Sequence, residues 1–224
     1  MNERRIIIPA ILLTAVLWTT GASARADWKL KKSDGGIEVY VRDVAGSRFK
    51  EFKGIMRLKQ TRLASLVAVF DDPSTYTTWM HEVIEARLLK TVNLYERYTY
   101  TVTRAPWPVA NRDLISYSII AQDPKTLTVT LRTSGKADYI PPVPDRVRVP
   151  KMNGLWTFTP LNGGDVLVTY QMHSEPGGYI TPELANMAVV DLPYITLLKL
   201  RNFLKQPKYA AIAYPQIREP KGSR

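Results

Sequence analysis

A chain of 224 residues carrying 31 lysines and arginines against 20 aspartates and glutamates has a formal net charge of +11, with no cysteine and two histidines. The lack of cysteine excludes disulfide staples and a lipid anchor on an N-terminal cysteine. His81 and His173 are far apart and show neither His-x-x-x-His nor His-Glu-x-x-His spacing, so no metal and no cofactor are expected.

Residues 1–26 read as a secretory signal peptide. Arg4 and Arg5 precede the uncharged run "IIIPAILLTAVLWTT", and "GASARA" offers small-x-small cleavage sites after Ala24 or Ala26. The run is short for a membrane span; a retained N-terminal anchor is the alternative. Either way the rest of the chain is exported, with a periplasm as the expected compartment.

Removing the leader takes away Arg4, Arg5, Arg25 and Glu3, leaving 28 basic and 19 acidic side chains, a charge of +9. The expected division is one domain over 27–206 and a C-terminal tail, 207–224. Such a charge inside a cell would raise nucleic acid as a partner, but export argues against it. An anionic membrane surface is the polyanion within reach, at roughly 1 kcal/mol per nearby lysine or arginine. Simple solubility is the other reading, because the charges are dispersed.

"GIEVYVR" (36–42) and "RFKEFKGIMRL" (48–58) read as strands, with Gly54 a candidate bulge. The period then changes: Leu63, Leu66, Val67 and Phe70 fall at helical spacing after a Thr61 cap, and Asp72-Pro73 stops the helix before a further turn reaching Trp79. Strands resume at 83–89 and 95–103. "LISYSIIA" (114–121) and "TLTVTLRT" (126–133) flank a turn on Asp123-Pro124 and form a half-buried hairpin. A proline-rich connection (136–153) leads to "GLWTFTPL", "NGGD" and "VLVTYQMH", a second hairpin. The end, "YPQIREPKGSR", reads as unordered.

The last element, 181–205, starts with a Thr181 cap, Pro182 and Glu183. At 100° per residue Val189, Leu192, Leu197, Leu200, Phe203 and Leu204 share a broad apolar face. Pro193 should cost a backbone hydrogen bond and introduce a kink. Thr196 is the polar residue on that face, its hydroxyl expected to bond back to the preceding turn.

Strands, a helix, more antiparallel strands and a long amphipathic helix make an α+β helix-grip pattern, a curved sheet around the C-terminal helix. Over 28–206 the sequence resembles the steroidogenic-acute-regulatory-protein-related lipid-transfer (START) domain. The resemblance rests on "GIEVYVR", "FKG" (52–54), "VFDDPSTYTTWM", "PWPVANRD" (106–113), "RVPKMNGLWTFTP" (148–160), "EPGGYIT" (175–181) and the closing helix, in that order.

The resemblance implies an internal apolar cavity between sheet and helix that takes one hydrophobic molecule: a lipid, sterol or hopanoid, fatty acid or quinone. The 104–112 loop and the closing helix would gate it. Pro106 and Pro108 would stiffen the gate, and Trp107 would meet a membrane interface transiently; core packing is the other reading of Trp107. Arg112 and Asp113 would anchor the loop's return, by separate bonds because adjacent strand residues face opposite ways. In the family's cholesterol-carrying branch an interior arginine lies six residues after the arginine of that pair; here the position is Ser118, so the chain reads as lacking the interior cation.

Two registries stay open. If Ser118 faces inward, Leu114, Ser116 and Ile120 do too; otherwise Ile115, Tyr117 and Ile119 do. The cavity candidates are therefore Leu114, Ser116, Ser118, Ile120, Val189, Leu192, Thr196, Leu197, Leu200 and Leu204. His173, Ser174 and Glu175 are chain neighbours and cannot form a relay, and no Gly-x-Ser-x-Gly elbow or nucleotide fingerprint is present. A monomeric carrier without catalysis is the expectation. The alternatives are a ligand-binding sensor or adaptor, and an enzyme of the helix-grip superfamily using His81 or His173.

Overall fold

The computed structural model describes residues 27–210 and 212–221; the leader reading of 1–26 lies outside them. Short, β-branched and aromatic segments pair as ten strands of one sheet: Lys29–Asp34 (β1), Ile37–Arg42 (β2), Glu51–Leu58 (β3), Val83–Asn93 (β4), Glu96–Thr103 (β5), Asn111–Gln122 (β6), Val129–Gly135 (β7), Arg146–Arg148 (β8), Lys151–Pro160 (β9) and Val166–Glu175 (β10). The spatial order is β1-β2-β3-β10-β9-β7-β6-β5-β4, antiparallel throughout, with short β8 parallel to the start of β6. Helices Leu63–Asp71 (α1) and Tyr76–Trp79 (α2) connect β3 to β4, and Pro182–Phe203 (α3) and Pro207–Ala210 (α4) follow β10.

This is the curved antiparallel sheet with a long C-terminal helix that the sequence pattern implies. The core fills the space between the sheet, α1 and the second half of α3. Tyr170 stacks on Trp156 with ring centroids 3.8 Å apart, Phe52 meets Tyr170 edge-on, and Phe70 meets both Trp156 and Trp79 edge-on. Offset and edge-on ring pairs of this kind add to the area they bury. The α3 start is as expected: the Thr181 hydroxyl accepts from the Leu184 N–H, with Pro182 at the first helical position.

Gly54 is not a bulge. Pairing of β3 with β2 and with β10 runs through it without a register shift. A Cβ there would lie 2.7 Å from Leu197 Cδ1 and 3.3 Å from Pro193 Cβ, so the glycine is the notch that seats α3 on the sheet. Two strands, β1 and β8, escaped the sequence reading; "KLKKSD" has no apolar alternation and β8 is three residues inside a proline-rich stretch.

The start of α1 and the tail also correct expectations. Thr61 donates to its neighbour's carbonyl at Lys59 and caps nothing. Glu219 does that work from the far end of the chain, accepting from the N–H groups of Leu63 and Ala64 at 3.0 and 2.8 Å. Tyr209 and Ile217 are buried, the Gln122 amide bonds Arg218, and Tyr214 donates to Asp71. The described part of the stretch that reads as unordered, 214–221, is thus tied to α1, because a carboxylate at a helix N-terminus satisfies orphan donors and opposes the helix dipole. Glu219→Ala is expected to destabilise the fold by about 1–2 kcal/mol, read as a lower midpoint in urea unfolding; an unchanged midpoint would mean that solvent caps α1 as well as Glu219 does.

Candidate ligand-binding cavity

The packed core ends partway along the sheet. On β6 the residues facing α1 and α3 are, in order, Arg112, Leu114, Ser116, Ser118 and Ile120; the opposite face carries Ile115, packed in a separate small cluster with Tyr100 and Val102. This settles the registry in favour of the even-numbered residues. On β10 the same face carries Tyr170, Met172 and Ser174. Between the mouth-side ends of these strands and the first half of α3 lies a cavity of about 590 Å³, within the ~300–1,000 Å³ of small-ligand sites.

Its walls are mostly apolar: Phe52, Met152 and Tyr170 from the sheet, with Leu184, Val189 and Leu192 as the roof. Of the sequence candidates, Leu114, Val189, Leu192 and Thr196 border the cavity. Ser116, Ser118 and Ile120 do not. The Ser116 hydroxyl is paired with Thr99 and that of Ser118 with Thr133, each at 3.2 Å, so both are satisfied across neighbouring strands within the core. Leu197 and Leu200 are fully buried core residues and Leu204 packs against them. Helix α3 is therefore divided, its first half roofing a space and its second half filling one.

Thr196 stands at that division. Its hydroxyl accepts from the His81 N–H at 3.1 Å rather than serving its own helix, tying α3 to the segment before β4. Position 118 carries no cation, but a buried arginine lies one strand over without bordering the cavity: Arg97 of β5 pairs in register with Ser118 and is ion-paired with Asp71 at the end of α1. The signal for Arg97 in the sequence is a charged residue in "ERYTYTVT" that alternates onto the core face.

Two loops form the mouth. In 104–110 the Ala105 N–H donates to Asn111 Oδ1 at 3.1 Å and the Val109 N–H to the Pro106 carbonyl at 2.9 Å, with a cis Trp107–Pro108 peptide between. Pro106 borders the cavity, Pro108 is exposed, and Trp107 is 93% exposed, which removes core packing as its role. In 176–181, Pro176 and Ile180 border the cavity while Tyr179 stands fully in solvent, at 102%. Met187, in the roof, is 74% exposed. Tyr179 and Met187 were missed; an aromatic between a glycine pair and a helix cap was the sign.

Arg112 and Asp113 face opposite ways. Arg112 faces the cavity and donates to the carbonyls of Ala110 and Gly177, one from each mouth loop. Asp113, fully buried, binds Arg148 through both oxygens at 3.1 and 2.9 Å, and Arg148 donates in turn to the carbonyls of Ala137, Ile140 and Pro141. The aspartate thus anchors the proline-rich connection, not the gate loop.

The histidines separate. His81 borders the cavity, and burial holds its imidazole below the usual range, partly offset by Glu82. His173 lies on the other face of β10 from Ser174, with its Nε2 3.2 Å from Ser47 Oγ. Glu175 accepts from the same Ser47 hydroxyl at 2.5 Å. A serine bonded directly to the carboxylate, with the imidazole as a third partner, lacks the acid–imidazole–hydroxyl order of a relay.

Among known proteins, the family model described as "START domain" matches residues 12–192. An uncharacterized protein of Pseudomonas aeruginosa is 37% identical over 201 residues, covering 89% of this chain and 97% of its own. The crystal structure of a STAR-related lipid transfer protein fragment from Xanthomonas axonopodis is 41% identical, covers 80% of this chain and 99% of its own, and superposes with a TM-score of 0.75. Human STARD10 shares the fold at 22% identity, with a TM-score of 0.71 over 81% of this chain and 75% of its own.

Proposed function

The chain belongs to the START domain family, and on that premise we propose that it carries one hydrophobic molecule across the aqueous space of the cell envelope. Binding of a hydrophobic ligand is the family's general property; transfer, the membrane contact and the periplasmic setting are the further steps. The observation that carries the reading is a largely apolar cavity opening between two loops whose large side chains, Trp107 and Tyr179, are turned outward instead of into the core. Together with Met187 they frame the mouth with apolar surface, and Lys50 and Arg104 border the same opening.

Apolar side chains at full exposure are unfavourable unless something covers them, and aromatic rings beside cations suit a headgroup interface. The leader reading of residues 1–26 supports export, and the positive surface supports an anionic bilayer as the docking partner. Cargo would leave the cavity at the bilayer, where the mouth loops and the first half of α3 have apolar surroundings to open into.

Trp107→Ala tests the membrane step. It is expected to slow ligand transfer between anionic vesicles by about tenfold or more, from lost burial of one large ring, while ligand affinity in solution stays within about twofold. Equal losses in transfer and affinity would place the ring in ligand binding instead, and no loss in either would remove the docking role.

A further inference from the structure

From the mouth end of the cavity we infer that the cargo is an acidic amphiphile, a single chain whose carboxylate or phosphate is held by Arg112. The inference rests on the carrier reading and names the chemistry of what is carried.

Arg112 is 8% exposed. It borders the cavity, and among the described residues it forms no ion pair, unlike Arg42, Arg97 and Arg148, which each have a carboxylate. Two carbonyls take one hydrogen bond each from its terminal nitrogens, and its Nε has no partner. Neither carboxylate that also borders the cavity pairs with Arg112: Asp191 lies 3.5 Å from Lys32, and the nearest ionisable group to Glu82 is the His81 ring at 3.8 Å. Guanidinium does not give up its proton in proteins, so a buried one without an anion carries a desolvation cost that two carbonyl dipoles only partly offset. An anionic group arriving with the ligand would complete it.

The placement fits an acid at the mouth and a chain running inward. Arg112 touches both mouth loops through Ala110 and Gly177. Thr103 pairs with it in register on β5, also bordering the cavity, and carries its hydroxyl on the same face of the sheet. Further in, β6 offers Leu114 and β10 offers Met172 and then Tyr170, with Phe52 and Met152 alongside. The buried guanidinium thus sits at the entrance, with a largely apolar wall further in. A planar guanidinium forks onto two oxygens of a carboxylate or phosphate, a geometry that an alcohol or sterol hydroxyl cannot fill.

The test compares chains that differ only at the head. Hexadecanoic acid, ionised, and hexadecanol are titrated against the delipidated full chain by displacement of a fluorescent probe, alongside monoacylglycerol phosphate and monoacylglycerol. The acid of at least one pair is expected to bind about ten- to a hundredfold tighter than its neutral partner. Whichever pair shows the larger ratio tells whether the head is a carboxylate or a phosphate. In Arg112→Gln that ratio is expected to collapse toward unity and in Arg112→Lys to survive in part. Thr103→Val, which leaves the guanidinium in place, should lower it by less. Equal affinities of acid and neutral partner in the wild-type chain would overturn the inference while leaving the carrier reading intact. So would a preference that persists in a folded Arg112→Gln. Failure of all four amphiphiles to bind would overturn both.

Discussion

Asp113→Ala is expected to cost about 3–5 kcal/mol of folding stability, the usual result of stranding one partner of a buried ion pair. Its carboxylate is 1% exposed and the Arg148 guanidinium 11%, so little solvent is at hand to replace the lost anion. Arg148 would keep the carbonyls of Ala137, Ile140 and Pro141, which is why Asp113→Asn, leaving a neutral acceptor of similar shape, should cost less. The damage should be local in origin: the 136–149 connection, held by Arg148 and by the Val149 N–H on the Asp113 carbonyl, loses its charged anchor. Thermal unfolding checks the magnitude, with a midpoint lower by about 6–20 °C for a domain of this size. A loss under about 1 kcal/mol would mean that Arg148 finds another anion or escapes to solvent.

The second large effect falls on binding. Val189 is only half-buried and borders the cavity, so Val189→Trp should place an indole in the ligand's space and abolish uptake with little change in stability. Leu200, one helical face along the same α3, is fully buried among core side chains. Leu200→Trp should therefore overpack a solid core and destabilise by about 1–3 kcal/mol or more, without a specific effect on ligand. Denaturation and ligand titration on both variants separate the two halves of the helix. If Leu200→Trp remained stable and lost ligand, the cavity would extend further along α3 than its lining residues indicate.

That contrast also marks where sequence reading reached its limit. Periodicity placed Val189, Leu192, Leu197 and Leu200 on one face correctly, because every apolar residue on a helix facing the interior obeys the same 3.6-residue repeat. Whether the interior opposite each is filled or open depends on side chains from other strands, chiefly Phe52, Trp156 and Tyr170, whose meeting is set by tertiary packing. The serines of β6 show the same ambiguity. Alternation alone allowed either face, and even the right face did not bring Ser116 and Ser118 to the cavity, since Thr99 and Thr133 had claimed their hydroxyls.

Local chemistry was more legible. The Thr181-Pro182-Glu183 helix start and the hairpin on Gly163-Gly164 are written within a few residues and form as expected. Long-range partners were not: Glu219 reaches α1 across more than 150 positions, and Arg97 finds Asp71 only because β5 passes behind the end of α1. Gly54 read as a bulge because a strand glycine signals either a bulge or a close approach, and the approaching element, α3, lies more than a hundred residues away.

The central claim is that the cavity holds one hydrophobic molecule. The most direct measurement is the intact mass of residues 27–224, purified without detergent and recorded under native and denaturing conditions, with extraction of whatever is released. The expected result is a one-to-one apolar adduct on the native protein that is absent after unfolding and absent from Val189→Trp. A clean apo mass, persisting after incubation with total envelope lipid, would contradict it.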